Sequence, residues 1–306
     1  LLVRKSAQRV TLPAEAATRP PFPFIVGLPR SGTSLLTQML HSHPDLALPP
    51  ETHFFPKIVE LCQDAADPAR VFVEKVVASP SWPKFQIDAD LFADRVGRLD
   101  PFDLGEALRT LYLLYAARHG KKRGGDKTPP NAYYMVLIQE VVPEAHFLHI
   151  IRDGRDVALS VKDLSFGPNT IEDAAAWWSM LLWRARGQVE SLRNYFEVRY
   201  EDLVLDTETT LRDICVFLDL AWDPAMLRYY EKFEERLSEG RIGKSPEDEL
   251  KDRTKNRKHF NELIGQPPRA DRVGVWRREM ALEDQRRFEE IAGEVLVDLD
   301  YEVGQE

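Results

Sequence analysis

Two sets of residues in this chain have the types and spacing to hold an anion. The first is Gly27-Leu-Pro-Arg-Ser-Gly-Thr-Ser34. Gly27 and Gly32 bracket a turn whose backbone can take positive φ and let a ligand approach closely. Such a turn aims successive N–H groups inward, and a helix beginning behind it adds partial positive charge, so its chemistry is the binding of phosphate or a similar group. The second set is Arg152 with Ser160, eight residues further on. A guanidinium grips a phosphate through two parallel N–H bonds, and a hydroxyl on the helix that follows can reach the same anion.

Both sets need strand ends to position them. Phe24, Ile25 and Val26 read as a short buried strand, and Leu35, Leu36, Met39 and Leu40 recur at helical spacing after the loop. Ala145 to Ile151 is a second apolar strand, which leaves Arg152 at its end, and a helix is expected from Gly154 to about Leu164. Glu197 to Tyr200 reads as a third strand. Helical spacing also marks 54–62, 68–78, 104–117, 131–141, 171–193, 207–218, 224–233 and 282–299, while prolines break 79–101 into small pieces. Residues 120–130 form a basic, glycine-rich loop. Residues 1–20 are expected to be a mobile lead-in, and the charged stretch 238–271 a surface lid or loop. Strands alternating with helices predict an α/β fold: a P-loop-like parallel sheet flanked by helices on both faces, forming a single domain over 21–306 with helical insertions. Ligands of such sheets bind at the carboxyl ends of the strands.

Composition narrows the classes. The chain has 306 residues, 43% hydrophobic and 30% charged, enough for a sizeable core without metals or disulfides. A net charge of -9 argues against a general nucleic-acid binder, whereas a small anion needs only a local cationic pocket. No apolar run approaches the roughly 18–20 residues of a membrane span. Cys62 and Cys215 have no metal-ligand spacing and read as reduced core residues, which points to a cytoplasmic setting. His41 and His43 belong to the turn after the first helix, and His119, His146, His149 and His259 have no motif around them.

The loop nearly matches the nucleotide pattern G-x-x-x-x-G-K-[ST] through Gly27, Gly32 and Ser34, but Thr33 stands at the lysine position and the cation is Arg30. That counts against hydrolysis of ATP or GTP. Pro29-Arg-Ser-Gly-Thr-Ser34 instead resembles the 5′-phosphosulfate loop of sulfotransferases, and its arginine is similar to that of the tyrosylprotein branch. Arg152-Asp-Gly-Arg-Asp-Val-Ala-Leu-Ser160 resembles the family's 3′-phosphate motif. Tyr200-Glu-Asp-Leu203 and Val273-Gly-Val-Trp-Arg277 resemble two further recurring segments.

The resemblance implies transfer of a sulfuryl group from 3′-phosphoadenosine 5′-phosphosulfate (PAPS) to an acceptor oxygen or nitrogen, in line, without a metal, leaving the bisphosphate PAP. It assigns the 5′-phosphosulfate to Arg30, Ser31, Gly32, Thr33 and Ser34, the 3′-phosphate to Arg152 and Ser160, and an adenine contact to Tyr200. Arg269 and Arg272 compete for a further contact with the 3′-phosphate. Leu35 stands where cytosolic enzymes often carry an adenine-stacking tryptophan. Pro49-Pro-Glu-Thr-His53 resembles the tyrosylprotein segment with a catalytic glutamate, which makes Glu51 the base and His53 its rival. A carboxylate base near neutral pH needs a raised pKa, so partial burial is expected. Gly125-Asp-Lys-Thr-Pro129 resembles the loop of a catalytic lysine, so Lys127 would stabilise the departing oxygen. The acceptor is left open among phenols, sugars, lipid headgroups and peptide tyrosine, with Trp82, Trp177, Trp178 and Trp183 as candidate lining. The rival classes are a P-loop kinase and a non-catalytic nucleotide-binding module.

Overall fold

The computed structural model describes residues 19–162, 167–233 and 264–304. The helix expected to reach Leu164 is described only as far as Val161, and most of the expected lead-in and lid lies outside the described residues. Strand β1 (Phe22–Gly27) is buried along its whole length, as a strand covered on both faces must be. The loop 28–32 carries it into α1 (Thr33–His41). A short strand β2 (Leu46–Ala47) leads to helices α2 (Lys57–Gln63), α3 (Pro68–Val77), α4 (Trp82–Phe85), α5 (Ala89–Gly97) and α6 (Leu104–Arg118). Strands β3 (Arg123–Gly124) and β4 (Asp126–Lys127) precede a 3₁₀ turn, Pro129–Tyr133, and α7 (Met135–Val141). Strand β5 (Ala145–Ile151) is followed by α8 (Gly154–Val161) and α9 (Ile171–Arg186). Strand β6 (Tyr195–Arg199) is followed by α10 (Tyr200–Leu205), α11 (Thr207–Phe217) and a 3₁₀ stretch, Pro224–Lys232. Helices α12 (Trp276–Glu279) and α13 (Leu282–Asp298) come last. None of the described helices is long and apolar enough to cross a membrane.

The main sheet has the order β4-β1-β5-β6 and every pairing in it is parallel. The carboxyl ends of all four strands therefore share one edge. The loop 28–32, Lys127, Arg152 and Tyr200 all issue from it. Period-two alternation splits the core. Phe24, Val26 and Phe147 face a cluster with α3, α5, α6 and α7. Ile25, Leu148, Ile150 and Val198 face the opposite cluster with α1, α10 and α11. Beyond the strand ends, Ile151 and Val157 join Trp178 and Phe288 in a third cluster between α8, α9 and α13. Cys62 and Cys215 are buried free thiols.

The parallel α/β architecture is the one expected, with differences of detail. Residues 120–130 are not all loop: β4 is an edge of the main sheet, and two residues of Asp-Lys give no apolar pattern to read. Tyr200 is not the last residue of a strand but the first of α10. The helix expected over 171–193 stops at Arg186, where Gly187 follows. β2 and β3 form a small parallel sheet of their own, pairing Leu46 with Arg123 and Ala47 with Gly124. Pro49 and Pro50 have no N–H to donate, so that ladder goes no further.

Candidate active site

The loop after β1 is shaped by close approach. Gly27 and Gly32 have φ of 147° and 102°. A Cβ on Gly27 would lie 2.5 Å from the Ile150 carbonyl oxygen, and one on Gly32 2.5 Å from Cδ2 of Tyr200, so neither position admits a side chain as the loop stands. Between them Arg30 also has a left-handed backbone, φ 73°, an uncommon state for a residue with a Cβ. Its Nε donates to Ser160 Oγ at 2.8 Å. The resemblance groups Ser160 with Arg152 as partners of one phosphate; in the structure the Ser160 hydroxyl accepts from Arg30. Ser31 is fully buried and its hydroxyl makes no hydrogen bond. Thr33 and Ser34 open α1.

Arg152 is buried at the end of β5. Its Nη1 donates to the Arg30 carbonyl (3.3 Å), and its Nη2 to the Arg272 carbonyl (2.8 Å) and to Asp156 Oδ2 (3.2 Å). The guanidinium lies 4.3 Å above the Tyr200 ring, and its Nε is a buried donor without a partner. Burial, followed by repulsion from Arg152 and Arg272, brings the Arg30 guanidinium down to about 10. Arg272 thus sits with Arg30, Arg152 and Tyr200, whereas Arg269 is exposed and its guanidinium pairs with Asp271. The sequence includes Asp156 in the 3′-phosphate motif but gives it no role. Its carboxylate accepts from Gly274 N (3.0 Å) and Trp276 N (2.9 Å), tying the segment that carries Arg272 to α8.

Glu51 lies opposite Lys127. One carboxylate oxygen accepts from Lys127 Nζ at 2.5 Å, and the other is 2.9 Å from His53 Nε2. His53 is exposed and reaches back through a left-handed backbone, φ 54°. The pKa expected to be raised is instead low. Burial pushes the Glu51 carboxyl up, but the Lys127 ammonium and the His53 hydrogen bond outweigh it and hold it at about 2. The loop is further fixed by Ser81, whose hydroxyl donates to the Glu51 carbonyl at 2.7 Å.

The tryptophans divide. Trp178 is core, its indole N–H donating to the Arg152 carbonyl at 3.2 Å, while Trp183 is 75% exposed. His41, the last residue of α1, accepts from Leu48 N, and His43 in the turn after it accepts from Asp45 N and bonds the Ala221 carbonyl through Nε2; His149 is buried against the Tyr195 hydroxyl. His53 is bonded to a site residue, Glu51; His259 is outside the described residues.

A model of the sulfotransferase family matches residues 21–224. Protein-tyrosine sulfotransferase A of Caenorhabditis elegans is 28% identical over 240 residues, covering 76% of this chain and 58% of that protein. Protein-tyrosine sulfotransferase 1 of Danio rerio is 27% identical over 219 residues, covering 69% and 56%. The chain therefore spans less than two thirds of the length of these relatives. The sulfotransferase domain of the Synechococcus PCC 7002 olefin synthase has the same fold, with a TM-score of 0.58 at 20% identity over 93% of this chain and 96% of that one.

Proposed function

The chain belongs to the sulfotransferase family, and from that premise we propose that it transfers the sulfuryl group of PAPS to an acceptor hydroxyl or amine, releasing PAP. The observation that carries this reading is the convergence of Arg30, Arg152 and Arg272 beside Gly32 and Tyr200, at the carboxyl edge of a parallel sheet. Three guanidiniums held close enough to repel one another, with the Ser31 hydroxyl and the Arg152 Nε buried without partners, suit a ligand carrying several negative charges. The loop 30–34 would hold the 5′-phosphosulfate, and Arg152, Ser160 and Arg272 the 3′-phosphate. Arg269 is the weaker candidate because Asp271 already occupies its guanidinium. Tyr200 would floor the adenosine end while its ring orders Arg152.

Glu51 and Lys127 supply the proton and charge chemistry. Their ion pair leaves the carboxylate a poor base, so the roles require Lys127 to leave Glu51 for the departing oxygen. Glu51, still oriented by His53, then accepts the acceptor's proton. The positive field comes from arginine, lysine and loop N–H groups, so the reaction is expected to survive EDTA. A phenolic hydroxyl is the first acceptor to test, since the curated relatives are named for tyrosine. The test is calorimetry with PAP, followed by transfer of labelled sulfuryl to phenols, sugars and tyrosine peptides. Absence of PAP binding, or binding of ATP with magnesium in its place, overturns the reading.

A further inference from the structure

The segments that carry Glu51 and Lys127 are not joined by the sheet. The β2–β3 ladder stops before the proline pair, and β4 is hydrogen-bonded to β1 on its other side. Something else must align 48–53 with β4. Beside Glu51 stands Thr52, and beside Lys127 stands Asp126; Glu51 meets Lys127 while Thr52 meets Asp126, so two neighbouring contacts join the same two segments. Asp126 is only 1% exposed. Its Oδ2 accepts from the Tyr112 hydroxyl (2.7 Å), Thr52 Oγ1 (3.1 Å) and Thr128 Oγ1 (3.3 Å), and its Oδ1 from Asn131 Nδ2 (2.9 Å). Thr52 N in turn donates to Thr128 Oγ1 at 3.1 Å. One buried carboxylate thus joins α6, the loop 48–53, β4 and the 3₁₀ turn after it.

The donors on that carboxylate, Tyr112, Thr52, Thr128 and Asn131, are all neutral. Apolar side chains of the same volume would often stabilise a core as well or better, so a buried carboxylate is weakly explained by stability. Burial pushes the Asp126 carboxyl up while the bonds from Tyr112, Thr52, Thr128 and Asn131 pull it back; with all four donors on one buried group, their directions fix the register of the segments that carry them.

We propose that Asp126 is the positioning residue of the Glu51–Lys127 pair: through Thr52 and Thr128 it sets the register between the loop 48–53 and β4 that places the two side chains in contact. It touches no reacting group. The functional weight of this assignment rests on Glu51 and Lys127 being the catalytic pair; the alignment itself does not.

The test needs no acceptor. Lys127 is labelled with an acetylating N-hydroxysuccinimide ester, and its rate is read by peptide mass spectrometry against exposed Lys57 and Lys122. Thr52→Val keeps the shape and removes the hydroxyl link to the loop. Asp126→Asn turns one acceptor oxygen into an N–H donor, so it cannot keep every one of these bonds. Tyr112→Phe removes a bond to the same oxygen from α6 and leaves the loop alone. Lys127 should react about fivefold faster in Thr52→Val and Asp126→Asn, the factor one lost hydrogen bond gives an opening equilibrium, and less than about twofold faster in Tyr112→Phe. An unchanged rate in Thr52→Val, or a rate that simply follows melting temperature across all three variants, overturns the proposal. PAP calorimetry on the same proteins separates the failures. Thr52→Val should bind PAP as the unsubstituted chain does, and a chain that never binds PAP overturns the sulfotransferase reading while leaving the Lys127 result standing.

Discussion

Glu51 has a cation or hydrogen-bond donor on each oxygen, and its titration follows. Its folded pKa of about 2 lies below the ordinary 4.5, so the pairing contributes stability that is complete above the ordinary value and is lost as pH falls through the folded one. Stability measured by urea unfolding should therefore drop between about pH 4.5 and pH 2. Lys127→Met should flatten that drop, and carbon NMR of the Glu51 carboxyl should show its midpoint climbing; an unmoved midpoint would mean that Lys127 does not govern this group. Glu51→Gln should cut turnover by roughly 10²–10⁴-fold, the range for a lost general base, with PAP affinity unchanged or slightly better because a negative charge has gone. If Glu51→Gln turns over normally and His53→Ala is dead, the base is His53. Arg152→Ala should weaken PAP binding by about 2–3 kcal/mol on calorimetry, the scale of a lost charge-assisted contact. At this scale the sequence named most of the candidate residues but not their partners. Glu51 and Lys127 are 76 positions apart, and no local pattern announces that their side chains touch. Arg269 and Arg272 look alike in the sequence; Asp271 and Asp156 distinguish them only once the chain is folded.

The loop between β1 and α1 holds its shape through Gly32 and the ring of Tyr200 behind it. Gly32→Ala would force a Cβ into that ring and place an L-residue at φ 102°, a strain of about 1–3 kcal/mol. Urea unfolding should show the loss and calorimetry a failure to hold PAP. Adding Tyr200→Ala should recover only the steric part, since the backbone strain stays. A Gly32→Ala protein that melts and binds PAP normally would mean that this contact does not shape the loop. Elements with a long apolar period were legible: β1, β5 and α6 lie within about two residues of where their patterns place them. β4 was not, because Asp126 and Lys127 are there for hydrogen bonding and charge rather than for core. The boundary at Tyr200 was missed because its aromatic ring suits a strand, and only the downstream turn makes it helical.

Across the whole molecule the net charge is -9, yet the carboxyl edge of the sheet gathers guanidiniums. A ligand that satisfies them should act on the entire fold. At about 100 times its dissociation constant, PAP should add about 2.7 kcal/mol to unfolding stability and raise the melting temperature. Inorganic sulfate should do less, because it meets fewer of the arginines at once; equal shifts from the two would argue against a site built for a molecule with two separated anionic groups. The parallel sheet and its flanking helices were readable from the alternation of strands and helices. The gathering of arginines from the loop 28–32, from β5 and from beyond α11 was readable only as a likeness of motifs, since distance in sequence hides like charges from one another. Those arginines also bear on how long the protein lasts before it is degraded. With no anion between them, Arg30, Arg152 and Arg272 repel one another in the folded chain, and proteases act on whatever fraction opens. If PAPS is the ligand, as proposed, saturating PAP should slow digestion of the folded chain by a protease and inorganic sulfate should slow it less, so that supply of the ligand would govern how long each copy of the protein persists.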